Sequence, residues 1–188
     1  MRLILTFAGA LAASPALGWT PCEDLWFSRN QVYDRAGYCF ASPLGTALFD
    51  NAGCSGTTVV LTPEAQALVD FVRAREAELG CAVDTGQTTL DIPNLWMRQQ
   101  LETPVALSEF ASGCLGWQGP AFELRAGPSL ASPVLTEARP GDDLVWDYQA
   151  FAWPEGWSFL TLYRGAEQVG LGWHQGRIDE ALCTGTAG

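Results

Sequence analysis

The chain has 188 residues, a formal net charge of −11, six cysteines and ten arginines without any lysine. Its length allows one or two small hydrophobic cores. An acidic chain with scattered arginines is disfavoured as a partner of nucleic acid or of an anionic lipid surface, and the acidity is better explained by solubility than by a basic partner.

The first 18 residues have the pattern of a secretory signal peptide. Arg2 gives the positive start, residues 3–13 are apolar, and residues 16–18 (Ala-Leu-Gly) fit a small-residue cleavage site. The apolar run is shorter than the roughly 20 residues that span a bilayer. We therefore expect an exported protein, periplasmic or secreted, that starts at Trp19 and has no membrane span.

The first half of the mature chain has helical spacing. Apolar residues seven positions apart predict an amphipathic helix over residues 23–36. Ser-Pro and Thr-Pro pairs, which favour helix starts, predict a short helix over residues 42–51 and a longer one over residues 62–79. A further short helix is predicted over residues 95–101. We expect these elements to form a disulfide-tied helical module over residues 19–105.

From Cys114 onward, short alternating strands separated by glycine and proline replace the helical spacing. This pattern predicts a small antiparallel barrel or sandwich over residues 106–188, and so an α+β chain. Five strands are expected, over residues 122–124, 134–136, 144–148, 157–163 and 171–173. A disulfide from Cys114 to Cys183 would tie the ends of this block and stabilise it by roughly 4 kcal/mol.

Six cysteines in an exported chain indicate three disulfides. The first predicted helix would separate Cys22 from Cys39 by roughly 20 Å, so these two should not pair. Two arrangements of the four N-terminal cysteines stay open. The first, Cys22 with Cys54 and Cys39 with Cys81, is favoured if three helices run up, down and up. The second is Cys39 with Cys54 and Cys22 with Cys81.

Ordered glycine, proline and tryptophan anchors mark the C-terminal block. They are residues 124–129 (Leu-Arg-Ala-Gly-Pro-Ser), 133–135, 140–141, 156–157 and 172–173. This pattern resembles bacterial Src-homology-3 domains. The resemblance implies a five-stranded barrel that holds cell-wall peptides or protein segments outside the cytoplasm. Residues 149–155 and 174–176 depart from the pattern where such a barrel could bind a ligand.

The first predicted helix carries Tyr-Asp-Arg-Ala-Gly at residues 33–37, preceded by Leu-Trp at residues 25–26 and followed by Tyr38 and Phe40. This stretch resembles the YARHG domain, a small extracellular bacterial module, with Ala36 in place of the motif's histidine. Taken whole, the chain resembles a family of exported proteobacterial proteins, with a domain of unknown function, that join a YARHG-like module to a Src-homology-3-like domain. The resemblance implies no particular reaction.

The motif stretch also contains charged residues, Arg29, Asp34 and Arg35. Arg29 falls on the side of the helix that carries Trp26 and Tyr33. We expect a packed arginine that fixes the helices through backbone carbonyls or a carboxylate, rather than a clamp on a substrate.

The residues suited to catalysis are few. His174 is the only histidine, and no Gly-x-Ser-x-Gly sequence accompanies it. Asp142 and Asp143 could form a carboxylate pair, although adjacent aspartates after Pro-Gly are more often a solvated turn. One histidine and no Cys-x-x-Cys disfavour a zinc site. We expect no cofactor, no metal and no catalytic residue.

The aromatic residues of the C-terminal block give the strongest candidate binding site. Alternation places Trp146 and Tyr148 on one face of their strand, and Phe151 and Trp153 follow in an insert. If these side chains are exposed together, they could form a groove for a proline-rich or extended peptide, with His174 as a further contact. The other tryptophans of this block are expected in the core.

The function that we predict from the sequence is non-catalytic binding of a cell-wall peptide or of a periplasmic protein segment. One alternative is a hydrolase acting on wall material through His174 or through Asp142 and Asp143. Another is a secreted inhibitor or assembly partner with a disulfide-stiffened surface.

Overall fold

A computed structural model describes residues 21–151 and 154–188 of the chain. Four helices come first, and all four predicted helices are confirmed, although the second is shorter than expected. They are α1 (Pro21–Arg35), α2 (Pro43–Leu48), α3 (Pro63–Glu78) and α4 (Leu95–Gln100). The signal peptide predicted over residues 1–18 lies outside the described residues. Within them, no helix is long and apolar enough to cross a membrane.

The helices α1 and α3 pack against each other through their apolar faces. Leu25 and Val32 of α1 share a buried cluster with Leu68 and Val72 of α3. The start of α3 is fixed by Thr62, whose side-chain oxygen accepts a hydrogen bond from the backbone N–H three residues further on. Residues of α1 and α3 line both of the candidate cavities described below.

The two N-terminal disulfides join Cys22 to Cys81 and Cys39 to Cys54, so the preferred pairing of Cys22 with Cys54 and Cys39 with Cys81 is wrong. The prediction failed because α2 has only six residues and cannot carry the chain to the opposite end of the module. Instead the chain folds back after α1, where the Cys39 N–H donates to the Gly56 carbonyl over 2.8 Å. Since α3 runs antiparallel to α1, Cys81 lies beside Cys22.

The C-terminal half is one seven-stranded antiparallel sheet. Its strands are β1 (Ala106–Trp117), β2 (Phe122–Arg125), β3 (Val134–Ala138), β4 (Asp143–Gln149), β5 (Trp157–Arg164), β6 (Glu167–Gln175) and β7 (Cys183–Ala187). Their order across the sheet is β3-β2-β6-β5-β4-β1-β7. A single 3-10 turn, Glu180–Leu182, precedes β7.

The predicted five-stranded Src-homology-3-like barrel is wrong. The five predicted strands correspond to β2 through β6, which are indeed neighbours in the sheet. However, β1 and β7 add to the free side of β4, so that β4 is an internal strand and the sheet stays open. The predicted disulfide between Cys114 of β1 and Cys183 of β7 is confirmed and holds these two added strands together.

The strands β1 and β7 were missed because neither has the alternation that marks a half-buried strand. The register of β1 against β4 shifts between Leu107 and Ser112, so four residues bulge out of the ladder. Phe110 lies in that bulge and is 82% exposed. The sequence of β7 is Cys-Thr-Gly-Thr-Ala, whose small residues give little hydrophobic signal.

The helices and the sheet share a buried cluster. Met97 of α4 and Leu101, which directly follows the helix, pack against Tyr148, Phe159 and Trp173 on one face of the sheet. The short helix α4 therefore attaches the helical part to the strands, together with a direct contact of α1 and α3 with Ala106 of β1, and α4 brings a charged residue into the interface.

Candidate functional site

The predicted aromatic groove does not form from the described residues. Tyr148 is only 5% exposed and belongs to the core beneath α4. Trp146 is half-buried against a different cluster, which contains Leu144, Leu160 and Leu162. Phe151 is exposed, and Trp153 lies outside the described residues. Tyr148 and Trp146 thus pack into two different buried clusters and do not form a common exposed groove.

His174 is half-buried on β6 and packs on an aromatic ring. The centroid of its ring lies 4.1 Å from that of Phe122. Ser158 of β5 is opposite His174 in the strand register, but no hydrogen bond joins the two side chains. Burial lowers the pKa of His174, against an opposing effect of a backbone hydrogen bond with Glu123. The structure therefore gives His174 the surroundings of a packed side chain.

We expect the imidazole of His174 to titrate below 6.5, its ordinary pKa. Because the folded state favours the neutral ring, its contribution to stability is present above pH 6.5 and is lost as the pH falls through the folded pKa. Proton NMR of the single histidine measures this directly. A Phe122→Ala variant, which uncovers the ring, should move the midpoint back towards 6.5; an unchanged midpoint would contradict burial as the cause.

The Asp142 and Asp143 carboxylates have structural partners. Asp142 accepts hydrogen bonds from the guanidinium of Arg164, over 2.7 Å and 3.1 Å, and from the Arg139 backbone N–H over 2.9 Å. Asp143 accepts from the backbone N–H of Gly116 over 2.7 Å. Both aspartates therefore fix the turn that leads into β4. Among the described residues, no cluster of three or more potential metal ligands occurs.

A buried polar cluster joins α1, α4 and β4. The Arg98 side chain is fully buried, and its Nη1 donates to Asp24 Oδ2 over 2.8 Å. Its Nη2 donates to Ser28 Oγ over 2.8 Å. The Tyr148 hydroxyl donates to the same Asp24 oxygen over 2.6 Å, and the Arg98 guanidinium lies 4.5 Å from the centre of the Tyr148 ring. We call Asp24, Ser28, Arg98 and Tyr148 the polar clamp.

The surroundings of the polar clamp raise the pKa values of two of its members, Tyr148 and Arg98. Burial, then the neighbouring Asp24 carboxylate, raise the pKa of Tyr148 well above its ordinary value, so the phenol remains a donor. Burial by itself disfavours the charged form of Arg98, but Asp24 and Tyr148 together raise its pKa above the usual value. Tyr148 and Arg98 therefore both keep their protons near neutral pH, and both can donate hydrogen bonds to Asp24.

Sequence reasoning missed the polar clamp, although a signal was present. Asp24, Ser28 and Gln31 follow one another at helical spacing on α1, and all three are buried. Gln31 donates to the Arg98 backbone carbonyl over 2.5 Å. A polar stripe beside the apolar face of α1 indicates a second, polar contact surface. Such a surface predicts a buried polar or charged partner elsewhere in the chain, which here is Arg98.

The motif arginines fix the helices, as predicted. Arg29 of α1 makes a bidentate pair with Glu76 of α3, with Nε to Oε2 at 2.9 Å. Arg35 donates to the backbone carbonyls of Gln99 and Leu101, each over 2.9 Å. These bonds satisfy carbonyls at the end of α4 and hold α4 against α1.

An apolar groove lies between α1, α3 and the segments at residues 60–62 and 103–104. Its volume is about 320 Å³. Val60 is 94% exposed and Phe151 is 41% exposed, and the Phe151 ring centroid lies 5.7 Å from that of Phe71. The lining is Val32, Arg35, Ala36, Val60, Leu61, Thr62, Glu64, Ala65, Leu68, Thr103, Pro104 and Phe151. Phe151, one of the aromatic residues predicted to bind a ligand, lines this groove, whereas Trp146 and Tyr148 do not.

Comparison with known proteins assigns the two parts of the chain to families. The model of the domain of unknown function DUF4453 matches residues 80–188, more than half of the chain. The chain belongs to this family. The model of the YARHG domain matches residues 3–77, which confirms that resemblance. No curated protein and no solved structure matches the chain.

The two matches meet near the end of α3, so α4 falls in the DUF4453 part together with the sheet. The sequence prediction placed the division at residue 105 instead. The polar clamp then joins the two parts, since Asp24 and Ser28 belong to the YARHG part and Arg98 and Tyr148 to the DUF4453 part. The three disulfides and the YARHG domain fit an exported protein.

Proposed function

We propose that this protein is a non-catalytic binding protein of the cell envelope, periplasmic or secreted, whose apolar groove takes an extended segment of another protein. The observation that carries the proposal is the almost complete exposure of Val60 beside a continuous apolar wall that contains Phe151. Contiguous exposed apolar surface on a soluble domain marks interaction sites more often than chance exposure does. The groove volume is at the lower end of the range for binding pockets, about 300–1,000 Å³.

The charge of the chain indicates the chemistry of the bound segment. The groove carries one arginine, Arg35, and one acid, Glu64, so it has no net charge of its own. The whole chain has 21 acidic and ten basic residues, and its field attracts cationic partners. We therefore propose a segment in which apolar side chains, which enter the groove, alternate with lysine or arginine residues, which face the acidic surroundings.

A hydrolytic function has little support from the same structure. Asp142 and Asp143 are held by structural hydrogen bonds, and His174 packs on Phe122 without an acid or hydroxyl partner. The buried charges of the polar clamp face each other rather than a cavity. The apolar groove, by contrast, is a surface suited to binding, and we therefore favour binding over hydrolysis.

Titration with labelled octapeptides tests the proposal. A peptide of alternating valine and lysine should bind, and its counterpart with glutamate in place of lysine should bind at least tenfold more weakly. Val60→Asn and Phe151→Ala should each weaken the lysine peptide about tenfold, because burying such a side chain contributes roughly 1.5–3 kcal/mol. Leu130→Asn is the matched control, since Leu130 is 65% exposed but outside the groove.

Equal weakening by the Leu130→Asn variant would show unspecific apolar adhesion and would contradict the proposal. Isolated cell-wall sacculi form the second arm of the experiment. Retention on sacculi that Phe151→Ala abolishes, without binding of either peptide, would replace the protein segment by a wall peptide as the ligand.

A further inference from the structure

A second cavity, which we call the aromatic cleft, opens between α1, α3 and the loop that follows α1. Its volume is about 460 Å³. The residues that matter for its chemistry are Trp26, Arg29, Tyr33, Tyr38, Phe40 and Arg73. It shares no lining residue with the apolar groove, so its occupant is a separate question.

The guanidinium of Arg73 is unusual for its lack of a carboxylate partner. Seven of the nine arginines in residues 21–151 and 154–188 form an ion pair with an aspartate or glutamate. Arg73 and Arg177 are the two that do not. Arg73 is exposed, and its single hydrogen bond runs from Nη2 to the Tyr33 hydroxyl over 2.9 Å. A guanidinium has five N–H donors, so most of those of Arg73 remain free for an acceptor.

Aromatic rings form the wall beside this guanidinium. The Tyr33 and Tyr38 ring centroids are 5.9 Å apart, and Tyr38 meets Phe40 edge-on at 5.0 Å. Neither tyrosine is fully buried, so both present ring surface to the cleft. Arg29 also lines the cleft, but its Nε and Nη2 donate hydrogen bonds to the Glu76 carboxylate. The Arg73 guanidinium, which has no carboxylate partner, thus lies next to a preformed surface of aromatic rings.

We propose that the aromatic cleft binds a small organic carboxylate that carries an apolar or aromatic group. The carboxylate pairs with the free N–H groups of Arg73, whose planar fork matches two carboxylate oxygens. The apolar group lies on the rings of Tyr33 and Tyr38. Both contacts are needed for binding. An ion pair with an exposed arginine contributes little by itself, and the tyrosine rings add contact area from which water is displaced.

The charge of the protein selects a monoanion over a dianion. The chain as a whole repels anions because of its formal charge of −11, and the repulsion doubles for a doubly charged phosphate. One unpaired guanidinium neutralises a single negative charge. A carboxylate is therefore the anion that the cleft can accept without an uncompensated charge.

Isothermal titration with 3-phenylpropanoate, its neutral amide and inorganic phosphate tests the proposal on the full exported chain. We expect the carboxylate to bind, and the amide and phosphate each to bind at least tenfold more weakly. The affinity for the carboxylate should fall as salt is raised, because the Arg73 pair is exposed. Equal affinity of the amide would overturn the proposal, since the cleft would then be an apolar pocket without a role for Arg73.

Three substitutions locate the site. Arg73→Gln should weaken 3-phenylpropanoate at least tenfold, whereas Arg177→Gln, which removes the other unpaired and exposed arginine, should change it less than twofold. Tyr33→Phe keeps the ring but frees Arg73 from its hydrogen bond, and it should bind at least as tightly as the natural chain. Equal losses in the two arginine variants would show a general charge effect and overturn the assignment. Retained binding by Arg73→Gln would do the same.

Discussion

Replacing Asp24 with asparagine is expected to lower the free energy of unfolding by about 3–5 kcal/mol, which is the usual cost of removing one member of a buried ion pair. The substitution keeps the shape of the side chain and removes its charge. Arg98, whose side chain is fully buried, would then remain charged with no carboxylate beside it. Because the clamp joins α1 to α4 and β4, we expect the loss of stability to affect the whole chain and unfolding to remain a single cooperative transition. Urea unfolding measures it.

Graded variants of the same clamp separate charge from packing. Tyr148→Phe removes one hydrogen bond and leaves the Asp24–Arg98 pair in place, so we expect a loss of about 1–2 kcal/mol. A fully apolar clamp, with Asp24→Leu, Ser28→Ala, Arg98→Met and Tyr148→Phe together, should be less destabilised than Asp24→Asn alone. Buried charges that are replaced together avoid the cost of an unpaired charge. A single asparagine variant as stable as the natural chain would show that the pair is dispensable.

The helices were predictable because their signals are local. The Thr62 cap followed by proline starts α3 where expected, and the leucine and valine spacing of α1 gives its apolar side. The pairing of cysteines was not predictable, because it depended on the length of α2. Six residues of helix instead of about ten change which ends of the module meet.

The open sheet was not predictable because β1 carries contradictory local information. Its four-residue bulge after Leu107 breaks the period of two, and the glycines at positions 113 and 116 weaken any strand signal. Five strands with correct alternation then resemble a closed barrel. Only the pairing of β1 with β4, a contact between residues 30 apart in sequence at Cys114 and Leu144, decides that the sheet stays open.

The candidate sites show the same division between local and long-range information. Alternation predicted Trp146 and Tyr148 on one face of β4, but nothing local shows that α4 covers Tyr148 or that the two rings pack in different clusters. Arg29 and Arg35 could be predicted as packing residues from their place on α1. The role that we propose for Arg73 depends on which arginines find a carboxylate, a property of the whole fold that no short stretch of sequence contains.

Removing the disulfide between Cys22 and Cys81 is expected to cost more stability than removing the one between Cys39 and Cys54. The two bridges close segments with sequence separations of 59 and 15 residues, for which loop entropy predicts losses of about 4 and about 3 kcal/mol. Cys22 also lies two residues before Asp24, on the first turn of α1. Freeing this turn should weaken the polar clamp, so the first loss should exceed the loop estimate. Urea unfolding of the two double serine variants gives both values.

Coupling between the bridge and the clamp can be measured separately from loop entropy. If the Cys22–Cys81 disulfide positions Asp24, then Asp24→Asn should cost less in the Cys22→Ser, Cys81→Ser background than in the natural chain, by 1 kcal/mol or more on the scale of contacting residues. The Cys39→Ser, Cys54→Ser background is the matched control, where Asp24→Asn should keep its full cost. Thiol titration of each double variant must return no free thiol, because two free thiols would mean that the removed cysteines were bonded to different partners.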